Sequence, residues 1–485
     1  MFLFTGISQY HHQLQQGTIS CSQAVSHYLD KINQLVHLNA FVEVYSTEAL
    51  QRAAALDAQR ATGQPMKALH GVVIAIKDVI CYKDHSVTAA SHILKGFKSL
   101  YTATALQYLI DEEAIIIGNC NCDEFAMGST NEHSAYGKVL NAKDHSRVPG
   151  GSSGGSAVAV QAGLCMLSLG SDTGGSVRQP ADFCGIIGLK PSYGCISRFG
   201  LLAYASSFDQ VGIFGTNIHD VALLLQIMSK PDEKDSTMRI ELPQKLFPIK
   251  PTTTKTRFCY FPQALHHPSV NSEVRQAISQ LIQQLKADGH TVAEVEFNWM
   301  DWIVPAYYVL TTAEASSNLS RYDGVRYGHR SNKATDSIEK FYRNNRTEGF
   351  GMEVKRRIML GTFVLSTGYY DAYYSKAQQI RAMLVNKMEE IFTLYDAILM
   401  PNSPDTAFEF GKNEKDPIAI YLADIFTVLA NLTAVPAISL PLFLHSNNMP
   451  FGLQVLGKRD NEVSLLSISR QLMQQFGDEQ KQSAT

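Results

Sequence analysis

Two glycine/serine clusters, Pro149-Gly150-Gly151-Ser152-Ser153-Gly154-Gly155-Ser156 and Gly170-Ser171-Asp172-Thr173-Gly174-Gly175-Ser176, are joined by a mostly apolar stretch over 157–169. Tracts of this composition are most often flexible connectors. Here the flanks point elsewhere, because a further apolar run, Gly185-Ile186-Ile187-Gly188-Leu189, follows the second cluster. Both clusters lie between segments that belong in a core, and they read as two loops of one site.

The apolar segments predict the layers around those loops. Val72-Val73-Ile74-Ala75-Ile76 is continuously apolar rather than alternating, as in a strand buried on both faces, and Lys77 ends it. Further short strands are expected at 115–117 and 165–169, with a helix over 157–163 beginning just after the first cluster. The first helix is expected to start at Ser20, where Ser20 and Gln23 form a capping-box pattern and Val25, Tyr28, Leu29 and Ile32 mark one face. Val274, Ile278, Leu281, Ile282 and Leu285 predict an amphipathic helix, followed by an alternating strand over 291–297. Helices are expected at about 353–372, 376–393, 417–432 and 461–475, and strands at about 397–400, 436–440 and 451–456. This alternation predicts an α/β layered fold with helices on both faces of a sheet. The polar, Pro/Lys-rich stretch 230–256 reads as a surface insertion, so residues 1–485 read as one domain with a helical N-terminal region at about 1–65.

Charge and cysteine usage narrow the function. A formal charge of -3, without runs of like charge, offers no basic surface for nucleic acid or membrane, so a nucleic-acid role would need a partner. Eight scattered cysteines without a C-x-x-C pair fit reduced thiols in a cytoplasmic protein. Cys120 and Cys122 are too close-set for a structural zinc half-site, and no metal is expected. The N-terminus is apolar for four residues only and lacks the pattern of a secretory signal. The stretch 157–169, interrupted by Gln161, Gly163 and Ser168, falls short of a membrane span.

Amide hydrolysis needs a nucleophile, a group that takes and returns its proton, and donors aimed at the developing oxyanion. In Thr173-Gly174-Gly175-Ser176, small side chains let backbone N–H groups converge beside the Ser176 hydroxyl. For the base, His133 and His145 lie in polar loop sequence and read as surface residues. Lys77 is a candidate because a lysine ending a buried strand is unusual, although it also reads as a strand-end lysine that snorkels to solvent. As a base it must lose its proton, so burial has to lower its pKa toward neutrality. Gly150 to Gly154 matches G-x-S-x-G, but the preceding 144–149 is a poor strand for a hydrolase elbow. Ser337-x-x-Lys340 lies in polar helical sequence without a K-T-G, and no nucleotide-binding glycine motif is present.

At this point the residues resemble the amidase signature family, and within it the glutamine-dependent branch formed by the A subunits of aspartyl/glutamyl-tRNA amidotransferases. The motifs occur in family order: Lys77-Asp78, Asp123-Glu124-Phe125-Ala126-Met127-Gly128-Ser129, Arg147 through Ser156, Asp172 through Ala181, Gly188-Leu189-Lys190-Pro191 and Ser206-Ser207-Phe208-Asp209-Gln210. The resemblance implies a mixed central β-sheet and a Ser-Ser-Lys triad. Ser176 would be the acyl-enzyme nucleophile, Ser152 the proton relay after a cis peptide bond, and Lys77 the base. Thr173, Gly174 and Gly175 would join the backbone of Ser176 in the oxyanion hole. It further implies glutamine as substrate, with Arg357 on its carboxylate, Asp424 on its amino group and Tyr308 in the pocket. No cofactor is expected on this chain; ATP and magnesium would bind a GatB-like partner that amidates Glu-tRNA(Gln) or Asp-tRNA(Asn) and makes most tRNA contacts. A GatC-like third subunit would complete a heterotrimer. Cys195 and Asp182 depart from the family pattern, which leaves local packing or partner contact open there. A stand-alone amidase acting on another amide, and a non-catalytic anion-binding scaffold, are the rival readings.

Overall fold

Continuous β-branched and apolar runs set the strands, and a computed structural model describes their assembly over residues 2–239, 245–250, 255–412 and 424–477. Among the described residues, the strands are β1 (Phe41–Val44), β2 (Val73–Lys77), β3 (Ile115–Cys120), β4 (Leu167–Asp172), β5 (Ile187–Lys190), β6 (Gln210–Gly215), β7 (Arg257–Tyr260), β8 (Thr291–Glu294), β9 (Ala397–Pro401), β10 (Ala437–Leu444) and β11 (Pro450–Gly457). They form one mixed sheet in the order β1-β3-β2-β4-β6-β5-β10-β11-β9-β7-β8. β2 runs parallel to both β3 and β4, whereas β4 and β6 are antiparallel.

Helices cover both faces. Gly212 and Gly215, three apart in β6, point to opposite sides of the pleat. A Cβ at Gly212 would meet Val177, which precedes helix Arg178–Cys184, and one at Gly215 would meet Val221 of helix Ile218–Met228. Between them β2, β4 and β6 are buried along their whole lengths, as strands covered on both faces should be. Among the described residues no helix is long and apolar enough to cross a membrane.

Several expectations change in detail. The helix capped by Ser20 spans Cys21–Gln34 with the predicted capping box, but it is the second helix. Ile7–Gln15 precedes it, its buried face reduced to Ile7, Tyr10 and Leu14, too few apolar residues to mark a period among polar neighbours. The helix expected after the first cluster begins inside it, at Gly154, and runs to Gln161. A side chain at Gly155 would strike the carbonyl oxygens of Asn121 and Ala40, so the glycines let this helix start against the end of β3. The strand expected at 165–169 lies at Leu167–Asp172, and the one expected to Phe297 stops at Glu294.

The helix expected at 353–372 is Met352–Val364, ended where the Ser366-Thr367-Gly368 segment turns, with Gly368 at φ 89°. Helices Lys376–Leu394 and Glu462–Phe476 match expectation. Of the helix expected at 417–432, Val428–Leu432 is helical, and 417–423 lies outside the described residues, as do 240–244 and 251–254 of the surface insertion.

Candidate active site

Parallel pairing brings the ends of β2 and β4 out side by side, since Ile74 and Ile76 are in register with Leu167 and Leu169. Lys77 therefore emerges next to the second glycine/serine cluster. The first cluster folds back over both ends. Ser153 Oγ accepts the Ser171 N–H at 3.3 Å and donates to the Ser171 carbonyl at 3.2 Å, while the Ser153 N–H donates to the Ser176 carbonyl at 3.2 Å. The Asp123 N–H holds the Ser152 carbonyl at 3.1 Å, and the Gly151–Ser152 peptide is cis. In this setting Lys77 Nζ lies 2.6 Å from Ser152 Oγ and 2.9 Å from Ser171 Oγ. Lys77 does not snorkel, because its side chain is fully buried.

Burial makes the lysine a weak proton holder. Lys77 forms no ion pair among the described residues, and removal from water lowers its pKa to about 8, against the opposing pull of Cys122, Asp123, Asp172 and Asp209. A neutral Lys77 keeps an N–H for Ser171 and has a lone pair for the Ser152 proton. Sequence reasoning named Lys77 and Ser152 but gave Ser171 no role. The signal lay in its position one residue before the end of β4, on the strand parallel to that of Lys77.

Ser176 follows a loop clamped from both sides. A Cβ on Gly174 would collide with the Tyr307 hydroxyl, and one on Gly175, at φ 126°, would collide with Thr427 Oγ1. Thr427 Oγ1 also donates to the Gly174 carbonyl at 2.7 Å. Among the donors expected at the oxyanion, one is engaged within the loop. The Gly175 N–H points back to Asp172 Oδ1 at 2.8 Å and is occupied, whereas the N–H groups of Thr173, Gly174 and Ser176 have no hydrogen-bond acceptor among the described residues. A strong neighbouring carboxylate, invisible as a competitor in sequence, takes that donor.

That carboxylate anchors the loop. Asp172 accepts Arg178 Nε and Nη2, each at 3.0 Å, in a bidentate pair without solvent exposure, together with Asn431 Nδ2 at 2.9 Å and the Val177 N–H at 3.2 Å. The remaining Arg178 donors reach the Thr427 carbonyl, Gln454 Oε1 and Asn431 Oδ1 at 2.5–2.7 Å. Burial raises the Asp172 pKa, but Arg178, then Lys190 and Asn431, outweigh it and hold the carboxyl well below the usual range.

Arg357 and Asp424 are buried, only 4% and 7% exposed. Arg357 Nε donates to Glu353 Oε1 at 2.9 Å, one helical turn away, and Nη1 donates to the Tyr204 hydroxyl at 2.8 Å. Its guanidinium carbon lies 5.4 Å from the Tyr308 ring centre. Asp424 accepts the Ser129 hydroxyl at 2.6 Å and that of Tyr308 at 3.4 Å. Burial pushes its carboxyl up to about 7, although Ser129, Arg357 and Tyr308 act in the opposite direction. Tyr308 thus touches both charged groups, and a fixed cation and a carboxylate share one buried neighbourhood. Ser129, Tyr204 and Glu353 were not singled out from sequence. Only the i, i+4 spacing of Glu353 and Arg357 signals a pair.

Other motifs resolve as structure. Ser337 N-caps helix Ile338–Gly349 by accepting the Lys340 N–H, which accounts for its S-x-x-K pattern. The hydrogen bonds of Lys77 go to serines, and the His145 ring packs against His37. Cys195 is buried with Sγ 3.2 Å from Ser229 Oγ, and Asp182 is buried and accepts the Gly452 N–H at 2.5 Å, so both departures bear on internal packing.

Known proteins resemble the chain over nearly its whole length. Residues 23–466 match the family described as Amidase. The chain is 45% identical over 470 residues to the A subunit of the glutamyl-tRNA(Gln) amidotransferase of Chlorobium phaeobacteroides, covering 96% of this chain and 98% of that one. Among solved structures, the A subunit of the glutamyl-tRNA(Gln) amidotransferase of Thermotoga maritima aligns with a TM-score of 0.77 at 37% identity, over 93% of this chain and 91% of that one. A crystal structure of an amidase aligns with a TM-score of 0.81 at 26% identity, over 98% and 100%.

Proposed function

The chain belongs to the amidase family, and from that premise we propose that it is the glutaminase component of a tRNA-dependent amidotransferase, supplying ammonia to amidate Glu-tRNA(Gln) or Asp-tRNA(Asn). The observation that carries the chemistry is the buried Lys77 amine 2.6 Å from Ser152, between the two loops that also hold Ser176. In this reading Ser176 Oγ attacks the side-chain carbonyl carbon of glutamine, its proton passing to Ser152 while that of Ser152 passes to Lys77. The free N–H groups of the Thr173–Ser176 loop face the oxyanion. Collapse breaks the C–N bond, the proton returns to the departing nitrogen, and ammonia leaves a glutamyl ester on Ser176. Water then attacks the ester by the same relay, releasing glutamate.

The buried Arg357 and Asp424 suit the opposite charges of an amino acid, with Arg357 on the carboxylate, Asp424 on the ammonium and Tyr308 between them. The relatives are each named as one component of an amidotransferase, which supports an assembly of several chains. We assign GatB-like and GatC-like partners, with ATP, magnesium and most tRNA contacts on the GatB-like chain.

The direct test incubates the chain, alone and in its assembly, with an electrophilic glutamine analogue and locates the adduct by mass spectrometry. Labelling is expected on Ser176. An assembled complex that hydrolyses simple amides rapidly, yet is not labelled there, belongs to the stand-alone amidase reading.

The base assignment also fixes a pH dependence. Chemistry needs neutral Lys77, whose pKa is lowered to about 8. The acylation rate is therefore expected to rise about tenfold per pH unit below about 8 and to level off above it. Rapid-quench measurement of ester formation between pH 6 and 9 checks this, and a rate that falls as pH rises through that range removes Lys77 as the base.

A further inference from the structure

Asp123 and Glu124 adjoin each other at a bend whose next residues, Phe125 and Ala126, are left-handed at φ 51° and 59°. The two backbones and side chains grip different parts of the site. The Asp123 N–H holds the Ser152 carbonyl, and its carboxylate accepts the N–H groups of Asn131 and His133 at 2.9 and 3.1 Å. Glu124, 4% exposed, turns the other way and accepts the Gly351 N–H at 2.9 and 3.1 Å through its two oxygens. Ser91 donates its hydroxyl to the same carboxylate. Gly351 is the N-cap of helix Met352–Val364, which has no cap bond from its own side chain, and a carboxylate there also suits the positive end of the helix dipole. Arg357 stands six residues further on, about 9 Å along the axis.

We infer that Glu124 is a positioning residue for substrate recognition: it clamps the N-terminus of the helix carrying Glu353 and Arg357 to the loop that holds Ser152. The inference rests on Arg357 binding the substrate carboxylate, as proposed above. The clamp fixes how far the guanidinium stands from the reacting serines, while the Lys77–Ser152 contact is held separately through Asp123. There is little room for substitution around the contact, since a Cβ on Gly351 would collide with Glu124 Oε2.

The test compares two readouts in Glu124→Ala and Glu124→Gln within the full chain, and its assembly where partners co-purify. One is the KM for glutamine. The other is the rate at which phenylmethanesulfonyl fluoride, which has no carboxylate for Arg357, sulfonylates Ser176. Glu124→Ala is expected to raise the KM about tenfold or more, with sulfonylation within about twofold of the parent. Glu124→Gln, which keeps one acceptor for the Gly351 N–H, should raise the KM less. In an Arg357→Met background the Glu124→Gln effect on KM should disappear, because the clamp acts through Arg357. An unchanged KM, or sulfonylation that falls in parallel with glutamine turnover, overturns the clamp; if the alanine variant does not fold, the glutamine variant decides by the same criteria. A parent chain and assembly that turn over no glutamine, yet are sulfonylated at Ser176, remove the glutaminase reading itself, and the clamp with it.

Discussion

Lys77→Ala is expected to lower the acylation rate by about 10²–10⁴-fold, the range that a positioned general base supplies. The loss should be chemical rather than structural, because Ser152 and Ser153 are also held through the Asp123 N–H and the backbone bonds between the loops. Lys77→Arg distinguishes a base from a mere cation. It retains positive charge but cannot be neutral near pH 8, so it should be as inactive as alanine. Adding Ser152→Ala to Lys77→Ala should cost little more, since a relay without its terminus is already broken.

Stability should move the other way. Folding lowers the Lys77 pKa from 10.5 to about 8, so the folded state binds fewer protons than the unfolded chain between those values. Stability contributed by this group therefore rises with pH through that window, and near neutrality the buried charge is a cost. Lys77→Met is expected to be inactive yet at least as stable as the parent at pH 7. Single-turnover rates with denaturant unfolding check both halves, and near-parental turnover in any of these variants rejects the base assignment.

The second large effect is on folding. Arg178→Ala leaves Asp172 a buried carboxylate without its bidentate partner, and breaking a buried pair from one side costs about 3–5 kcal/mol. Activity should fall with it, because Asp172 fixes the Gly175 and Val177 N–H groups on either side of Ser176. Pairing Arg178→Met with Asp172→Asn removes both charges and should recover part of the stability without restoring the loop. Urea unfolding of the single and double variants tests this. A single variant within about 1 kcal/mol of the parent would show that Asp172 is solvated or neutralised by other groups.

Legibility in the sequence followed the range of the interactions. Long periodic segments such as Ser272–Ala287 are readable because Val274, Ile278, Leu281, Ile282 and Leu285 share one buried face, and β2 because the apolar run leading to Lys77 is unbroken. The short helix Ile7–Gln15 is not, since three buried residues give too little period and its N-cap, Gly6, makes no side-chain cap. At the site, motifs mark Lys77, Ser152 and Ser176. The roles proposed for Arg357 and Asp424 rest on family resemblance, because a charge on a helix or turn carries no local mark of its burial.

What the sequence by itself determined is the set of local parts: apolar strands, two small-residue loops between them, and a lysine at the end of a continuously apolar run. Backbone propensity and side-chain size act over a few residues, and both are written in order along the chain. The tertiary structure alone decided how those parts meet. It placed Lys77 against a serine 75 residues away, withdrew the Gly175 N–H to Asp172, and brought Ser129 to Asp424 across 295 residues. Desolvation and hydrogen-bond competition depend on everything packed around a group, so the pKa of Lys77 and the free donors beside Ser176 exist only once the sheet has closed over them.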